Sequence, residues 1–282
     1  MIELHHVEEV AAACGGDDLL VWTAQRLPDG GARAWAHGEA VVAACAAVSK
    51  HDRLAVSGTP GDPALPELVR RAWREMGTGF RPFGDREVIH RLVEAMPGEL
   101  GPAGNFTWMT VDPSTVRLDA ARSATAGLDT AQLETARLET RPLGTSGQVL
   151  VEPRVEWLGP GDVEEVARVL AVANPDAYAR PGMPGIFRWA GIRDEGGRLV
   201  AVGADAWSAP TVGFVGGVAT LPRARGSGLA GAICRFLTVA LLERHGRVSL
   251  MVDDVNAAAL AVYRRLGYAR RAVAATRAVQ GA

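Results

Sequence analysis

A glycine-rich loop between a buried strand and an amphipathic helix constrains this chain more than any other feature. The residues from Val215 to Leu221 are typical of a buried strand, and Gly226-Ser-Gly228 follows a short Pro- and Arg-containing segment. Beyond it, apolar residues recur at the spacing of one helical face: Leu229, Ile233, Phe236, Leu237, Ala240 and Leu241. The sequence therefore predicts two glycines at the N-terminus of a helix.

Such a loop is suited to binding an anion. The first backbone N–H groups of a helix lack intrahelical acceptors and lie at the positive end of the helix dipole, so they can hold a phosphate. Gly226 and Gly228 let the backbone approach it without a Cβ. Arg223 and Arg225 add guanidinium groups that can bind phosphate oxygens. We therefore expect a ligand that carries a pyrophosphate.

A nicotinamide dinucleotide is one candidate for that ligand. Gly226-Ser-Gly228-Leu-Ala-Gly231 matches the dinucleotide fingerprint, and Asp253 and Asp254 end the next strand-like run. In that fold, however, the first glycine directly follows the strand, whereas here Leu221-Pro-Arg-Ala-Arg225 intervenes. The surrounding sequence therefore favours a different pyrophosphate ligand.

Two motifs taken together resemble the GNAT superfamily of N-acetyltransferases over about residues 154–280. They are Arg223-x-x-Gly226-x-Gly228-x-Ala230 and Asn256-x-x-Ala259-x-x-x-Tyr263-x-x-Leu266-Gly267-Tyr268. The resemblance implies an α/β fold with a mixed central sheet flanked by helices, acetyl-CoA as acyl donor and no metal. It implies Tyr263 as the acid that protonates the leaving thiolate. The implied cofactor-binding residues are Val218, Ala219, Thr220, Arg223, Arg225, Gly226, Ser227, Gly228, Leu229, Ala230 and Asn256.

Helical geometry bears on the second motif independently of the family. Asn256 and Tyr263 are seven residues apart, which at ~100° per residue leaves them about 20° out of register, so both are expected to face one cleft. A phenol is protonated at neutral pH, as an acid must be. The alternative is a core aromatic, since Leu260 and Leu266 lie at helical spacing from Tyr263. The upstream loop favours the catalytic interpretation.

The strand before the loop contains Gly216-Gly217, which predicts a β-bulge. In the family, such a disruption exposes backbone N–H groups to the acyl carbonyl, where they stabilise an oxyanion. The alternative is that the glycines only relieve crowding between packed elements.

Other polar and aromatic residues carry weaker signals. The carboxylates Glu195, Asp205, Asp253 and Asp254 lie near strand ends, and none is singled out as the general base. His245 is predicted to complement a helix C-terminus. The loop Tyr178 to Gly185 corresponds to the one that lines the acceptor pocket in such acetyltransferases, and Trp189 and Trp207 either line that pocket or pack in the core.

The chain divides into three predicted parts: a non-catalytic α/β module over 1–112, a low-complexity linker over 113–150 and the catalytic domain over 151–282. The strands and helices of the first part, among them a strand over Leu19–Thr23, suggest a degenerate second GNAT-like copy. It lacks the phosphate loop, because Ser57-Gly-Thr-Pro-Gly-Asp62 has no arginine and places an acid at the helix start. The linker carries leucines on a five-residue grid.

Composition narrows the remaining alternatives. A net charge of -2 over 282 residues argues against a nucleic-acid surface. The three cysteines show no metal-binding spacing, and the acidic N-terminus is unlike a signal peptide. We expect a cytoplasmic monomer or homodimer without membrane contact.

The resulting hypothesis is an N-acyltransferase that moves an acetyl group from acetyl-CoA to an amine by direct attack in a ternary complex. The expected acceptor is a small-molecule amine or an amino acid, and a protein N-terminus stays open. The alternatives are a non-catalytic acyl-CoA-binding regulatory module and a nicotinamide-dinucleotide-binding protein.

Overall fold

The computed structural model describes residues 1–117 and 153–279. Nearly all of the predicted linker, including its leucine grid, lies outside these residues. Within them the chain forms twelve strands and seven α-helices. None of the described helices has the length and apolar character needed to cross a bilayer.

The first part of the chain, residues 1–117, runs from β1 to β6. Its elements are β1 Ile2–Leu4, α1 Val7–Ala13, α2 Asp18–Thr23, β2 Ala32–His37, β3 Ala40–Val48, β4 His51–Ser57, α3 Ala64–Met76, β5 Arg81–Asp85, α4 Arg86–Ala95 and β6 Gly104–Val111. The strand predicted over Leu19–Thr23 is wrong, since these residues belong to α2. Asp17 caps that helix by accepting a 3.0 Å hydrogen bond from the Leu19 N–H. All residues from Leu19 to Thr23 are buried, so the sequence shows neither the helical nor the strand periodicity that would distinguish the two structures.

The second part, residues 153–279, runs from β7 to β12. Its elements are β7 Glu156–Trp157, α5 Val163–Ala173, β8 Ile186–Arg193, β9 Leu199–Ala206, β10 Gly213–Thr220, α6 Leu229–His245, β11 Val248–Val252, α7 Ala257–Arg265 and β12 Ala269–Ala275. The helix expected after the glycine-rich loop and the strand expected over Val248–Val252 are confirmed. Strands β8 and β12 were not predicted from the sequence.

The two parts have the same order of strands and the same pairing. In each, four successive strands pair in antiparallel fashion, β1 to β4 in one and β7 to β10 in the other. A helix then leads to a strand parallel to the fourth, and a further helix leads to a last strand. This agreement supports the hypothesis that the first part is a degenerate copy of the second.

The last strand of each part is inserted into the sheet of the other. The single sheet has the order β1-β2-β3-β4-β5-β12-β6-β11-β10-β9-β8-β7. Strand β12 pairs with β5 and β6, and β6 pairs with β11 and β12, all antiparallel. We call this arrangement the strand exchange. Because of it, each part supplies backbone hydrogen bonds that complete the other.

Apolar side chains fill both faces of the sheet. On the face that carries α2 and α5, a core shared by both parts contains Trp22, Trp108 and Phe214. Trp22 stacks on Phe214 with ring centroids 4.7 Å apart, and its indole N–H donates to the Trp207 carbonyl at 2.8 Å. The other face is covered by α3 and α4 in the first part and by α6 and α7 in the second.

Two polar clusters link the parts at the strand exchange. The Asp18 carboxylate of α2 accepts hydrogen bonds from Trp108 at 2.8 Å and Ser249 at 2.9 Å. The second cluster centres on the Asp254 carboxylate, which accepts a hydrogen bond from the Thr107 hydroxyl at 2.5 Å and forms an ion pair with Arg86 at 2.6 Å. Asp254, one of the carboxylates weighed as a base, is therefore engaged in joining the two parts.

Candidate functional site

A cleft opens between β10 and β11 in the second part. The two parallel strands pair only at Gly213 with Val248 and at Phe214 with Ser249, although β10 continues to Thr220. The corresponding strands of the first part stay paired for longer, from Arg53–Arg81 to Val56–Gly84. A Cβ on Gly84 would lie 2.2 Å from the Val56 carbonyl oxygen, so β4 and β5 are in close contact there. Of these two strand pairs, β10 and β11 are the pair whose hydrogen bonding ends early.

A β-bulge lies on β10 beside this cleft, which confirms the prediction from Gly216-Gly217. The β9–β10 register shifts between Gly216 and Ala219, so Gly217 and Val218 have no partner on β9. Gly217 adopts the left-handed conformation, with φ 61. Pairing with β11 has already ended at Phe214, so the backbone N–H groups at the bulge can donate hydrogen bonds to a ligand carbonyl.

The glycines of the bulge also relieve crowding, as the alternative interpretation predicted. A Cβ on Gly217 would lie 2.7 Å from the Trp189 ring and 3.2 Å from the Ala179 Cβ. Trp189 is buried in the shared core, and Ala179 belongs to the loop Tyr178 to Gly185. The core interpretation of Trp189 is therefore correct, and this loop covers the bulge.

We expect Gly217→Ala to destabilise the protein by about 2 kcal/mol. The new methyl group meets Trp189 in a well-packed core, and φ 61 disfavours a residue with a Cβ. Urea unfolding measures the change. Gly197→Ala is the matched control, because Gly197 has φ 75 but nothing within 4 Å of its Cβ position. Equal losses in the two variants would contradict the crowding.

The glycine-rich loop presents a row of free backbone donors. Gly226 and Gly228 are left-handed, with φ 83 and 79, and Gly228 caps α6 without a side-chain hydrogen bond. Within the described chain, the N–H groups from Gly226 to Gly231 have no backbone acceptor. Successive amides in such turns form a concave anion site, here reinforced by the N-terminus of a 17-residue helix.

The two arginines predicted to bind phosphate flank this loop and are exposed. Arg223 pairs with Asp194 at 3.1 Å. Arg225 donates to the Thr220 and Ala173 carbonyls at 3.2 and 3.3 Å. An exposed ion pair contributes at most about 1 kcal/mol, so the Arg223 guanidinium can readily exchange Asp194 for another anion.

Among the remaining predicted cofactor residues, Asn256 has a structural role as well. It is the N-cap of α7, and its Oδ1 accepts a 3.1 Å hydrogen bond from the Ala259 N–H. Asn256 is exposed, and its Nδ2 stays available to a ligand.

The other predicted cofactor residues lie on β10 and at the start of α6. On β10, Val218 is half-buried and Ala219 is buried, and the buried Thr220 Oγ1 has no hydrogen-bond partner among the described residues. Ser227 is exposed, and Leu229 and Ala230 are half-buried at the start of α6.

Tyr263, the predicted acid, lies in the core between α6, α7 and β11. It is 7% exposed, and its ring centroid is 5.7 Å from that of Tyr268. Burial raises the pKa of the Tyr263 phenol well above its usual value, and the neighbouring Cys234 and Tyr268 raise it further. The phenol therefore stays protonated throughout the physiological range.

Asn256 and Tyr263, which are expected to face one cleft, differ in exposure: the first is exposed and the second is buried. That both face the same cleft stays a prediction. One reason for the difference in exposure is that α7 begins at Ala257. Asn256 is a non-helical cap, with φ -83 and ψ 69, so counting it as a helical position misplaces it.

The other candidate polar residues have partners or are exposed. Asp205 is fully buried, accepts from Ser208 at 2.5 Å and pairs with Arg188 at 3.5 Å. Glu195 and Asp253 are exposed. His245 ends α6, as predicted, with its Nδ1 3.2 Å from the Pro210 carbonyl oxygen. The described residues contain no group of three or more His, Cys, Asp or Glu side chains arranged to hold a metal ion.

Comparisons with known proteins agree with this geometry. Residues 190–277 match the family model described as FR47-like protein. A GCN5-related N-acetyltransferase from Kribbella flavida is 21% identical, with a TM-score of 0.56 over 93% of this chain and 95% of that one. A GCN5-related N-acetyltransferase from Sphaerobacter thermophilus is 14% identical, with a TM-score of 0.52 over 99% of this chain and 95% of that one.

A third structure extends the likeness. A GCN5-related N-acetyltransferase-like protein from Streptococcus suis is 13% identical, with a TM-score of 0.54 over 97% of this chain and 98% of that one. No curated protein matches the chain. At these identities the structures show a common fold, and that fold spans both parts of the chain.

Proposed function

Because the chain has the fold of the GNAT superfamily, we propose that its second part transfers an acetyl group from acetyl-CoA to an amine. The observation that carries the proposal is the sequence of features along β10. A bulge with unpaired backbone groups, an open strand pair and a loop of free amides follow one another, matching a thioester, a pantetheine arm and a pyrophosphate.

In the proposed complex, the amides from Gly226 to Gly231 bind the pyrophosphate, with Arg223 and Arg225 beside it. The pantetheine arm lies between β10 and β11, near Thr220 and Asn256. Backbone N–H groups at the bulge bind the thioester carbonyl and stabilise the oxyanion as the amine attacks. Direct attack forms the C–N bond and breaks the C–S bond. The amine gives its proton to water, the thiolate gains one from the Tyr263 hydroxyl, and the resulting phenolate takes a proton back from water, so that the enzyme returns to its starting state.

Calorimetric titration with acetyl-CoA, with NAD in parallel, tests the cofactor class. We expect micromolar binding of acetyl-CoA and none of NAD. Binding of NAD alone would restore the dinucleotide interpretation of Gly226 to Gly231. Turnover with a panel of small amines and amino acids then separates an acetyltransferase from a regulatory module. The regulatory module would bind acetyl-CoA, but adding an amine would not speed the release of CoA.

We expect Tyr263→Phe to slow acetyl transfer at least tenfold while the Kd for acetyl-CoA changes less than twofold. The substitution removes the hydroxyl proposed to protonate the leaving thiolate and keeps the ring in the core. Tyr268→Phe is the matched control, since it also removes a buried hydroxyl, which is 2.9 Å from the Thr238 Oγ1. Steady-state kinetics of both variants decide the role. Equal rates for wild type and Tyr263→Phe would leave Tyr263 as a core aromatic only.

A further inference from the structure

A basic cluster in the first part faces the loop that covers the bulge. It consists of Lys50, His51, Arg53 and Arg81, at the start of β4 and β5. Its neighbour is Tyr178 of the second part: the Lys50 ammonium is 5.2 Å from the Tyr178 ring centroid, and the His51 ring centroid is 5.6 Å from it. The next residue, Ala179, lies against the bulge at Gly217. The basic cluster is therefore on the order of 10 Å from the proposed thioester position.

Among residues 1–117 and 153–279, the positive charges of this cluster have no acidic ion-pair partner. Arg53 is 4% exposed, and its guanidinium donates to the Ser49 hydroxyl at 3.0 and 3.2 Å and lies over the Phe83 ring. Arg81 contacts the His51 ring at 3.3 Å. In the part of the chain that the structure describes, neither Lys50, Arg53 nor Arg81 forms an ion pair with a carboxylate. Other arginines, such as Arg86 and Arg193, do.

The register of the strands concentrates this charge. Arg53 and Arg81 are directly paired on the parallel strands β4 and β5, where like charges repel. Asp52 is the neighbouring acid, but strand alternation directs it to the opposite face, where it accepts a 2.9 Å hydrogen bond from the Ala47 N–H. Burial and the three nearby cations lower the pKa of His51 to about 4, so His51 is neutral at pH 7. Burial likewise lowers the pKa of Arg53 to about 10, which still leaves it charged.

A buried cation without a counter-ion is costly unless something compensates it. The left-handed conformations of Ser49 and Lys50, with φ 54 and 73, are those of a two-residue hairpin turn between β3 and β4, and this turn places Lys50 beside the cluster. The buried charge of Arg53 is compensated if the cluster binds an anion carried by the acceptor, since a guanidinium and an ammonium are the groups that bind carboxylate and phosphate oxygens.

We infer that the acceptor amine carries a carboxylate or phosphate group, separated from the amine by several bonds, and that Lys50, Arg53 and Arg81 of the first part bind this group. The inference rests on the proposed acetyl transfer at β10. It gives the non-catalytic part of the chain a role in choosing the acceptor.

Acetyl transfer to three amines of equal chain length tests the inference: 4-aminobutyl phosphate, 4-aminobutanoate and butylamine. We expect kcat/KM at least tenfold higher for an anionic amine than for butylamine, and the preferred anion shows whether phosphate or carboxylate is bound. Lys50→Gln and Arg81→Gln should each lower that ratio at least fivefold. Arg74→Gln is the control, because it removes an exposed charge from α3 and should leave the ratio unchanged.

A binding measurement separates this inference from the proposed activity. Thermal unfolding with 4-aminobutyl phosphate should show a rise in Tm for wild type that is lost in the double variant Lys50→Gln, Arg81→Gln. If wild type shows this rise in Tm and the double variant does not, but no acetyl transfer is detected, the anion site is supported and the proposed activity is refuted. Acetyl transfer with no preference for anionic amines, or a preference unchanged in both single variants, would refute the anion site and leave the activity standing.

Discussion

Gly228→Asp is expected to abolish acetyl-CoA binding, with Kd rising at least 100-fold. Gly228 lies in the middle of the amide row from Gly226 to Gly231, and nothing lies within 4 Å of its Cβ position, so an aspartate side chain fits. Its carboxylate would, however, satisfy the helix N-terminus itself and repel the pyrophosphate. Aspartate tolerates φ 79 better than most residues, so the fold is retained. Calorimetry with acetyl-CoA measures the loss.

Two matched variants isolate the charge from the shape. Gly228→Asn introduces nearly the same side chain without the charge, and we expect its Kd to rise much less. Gly61→Asp places the same carboxylate at a left-handed glycine before α3, with φ 84 and open space around it, and should leave Kd unchanged. If Gly228→Asp bound acetyl-CoA like wild type, the loop would not be the pyrophosphate site.

Separating the two parts of the chain is expected to cost the second part both its fold and its cofactor. Residues 153–282 alone lack β6, so β11 and β12 lose the strand that lies between them. They also lose the hydrogen bonds of Asp18 to Ser249 and of Arg86 to Asp254. We expect this fragment to aggregate or to unfold without a cooperative transition, and to bind no acetyl-CoA. Coexpression with residues 1–117 should restore a complex that binds acetyl-CoA.

A protease site inserted between residues 117 and 153 of the full chain provides the control. After cleavage the two fragments should elute together and bind acetyl-CoA as before, because the strand exchange and the shared core hold them. The result that contradicts the strand exchange is separation of the fragments after cleavage, with the second one still folded and active.

The sequence predicted the glycine-rich loop well because its signals are local. Glycines with positive φ, a missing side-chain cap and an apolar helical stripe all act over a few residues, and the structure has them at Gly226, Gly228 and α6. The bulge was also predictable, since Gly216-Gly217 interrupts an otherwise buried strand. Tyr263 is different. Its exposure depends on how α7 packs on α6 and β11, and helical spacing does not determine that packing.

The features that the sequence did not reveal are those that join distant segments. No local pattern indicates that β6 pairs with β11 and β12, more than a hundred residues along the chain. The same holds for the basic cluster. Lys50, His51 and Arg53 are ordinary polar residues in the sequence, and only the fold brings them to Arg81 and to Tyr178. The one sequence feature that could have indicated the basic cluster is Lys50, the single lysine of the chain, which lies next to His51 and close to Arg53.

The strand exchange also bears on how such a chain can evolve. A duplicated domain that has lost its ligand site is ordinarily dispensable, and a deletion can remove it without harm. Here a deletion of the first part would expose the edges of β11 and β12, and unpaired edges invite aggregation. The first part has an acid, Asp62, at the start of α3 where the second part has Gly228 before α6, and it still supplies the strand between β11 and β12. A part of the chain that is kept for its strand leaves its surfaces free to acquire a new task.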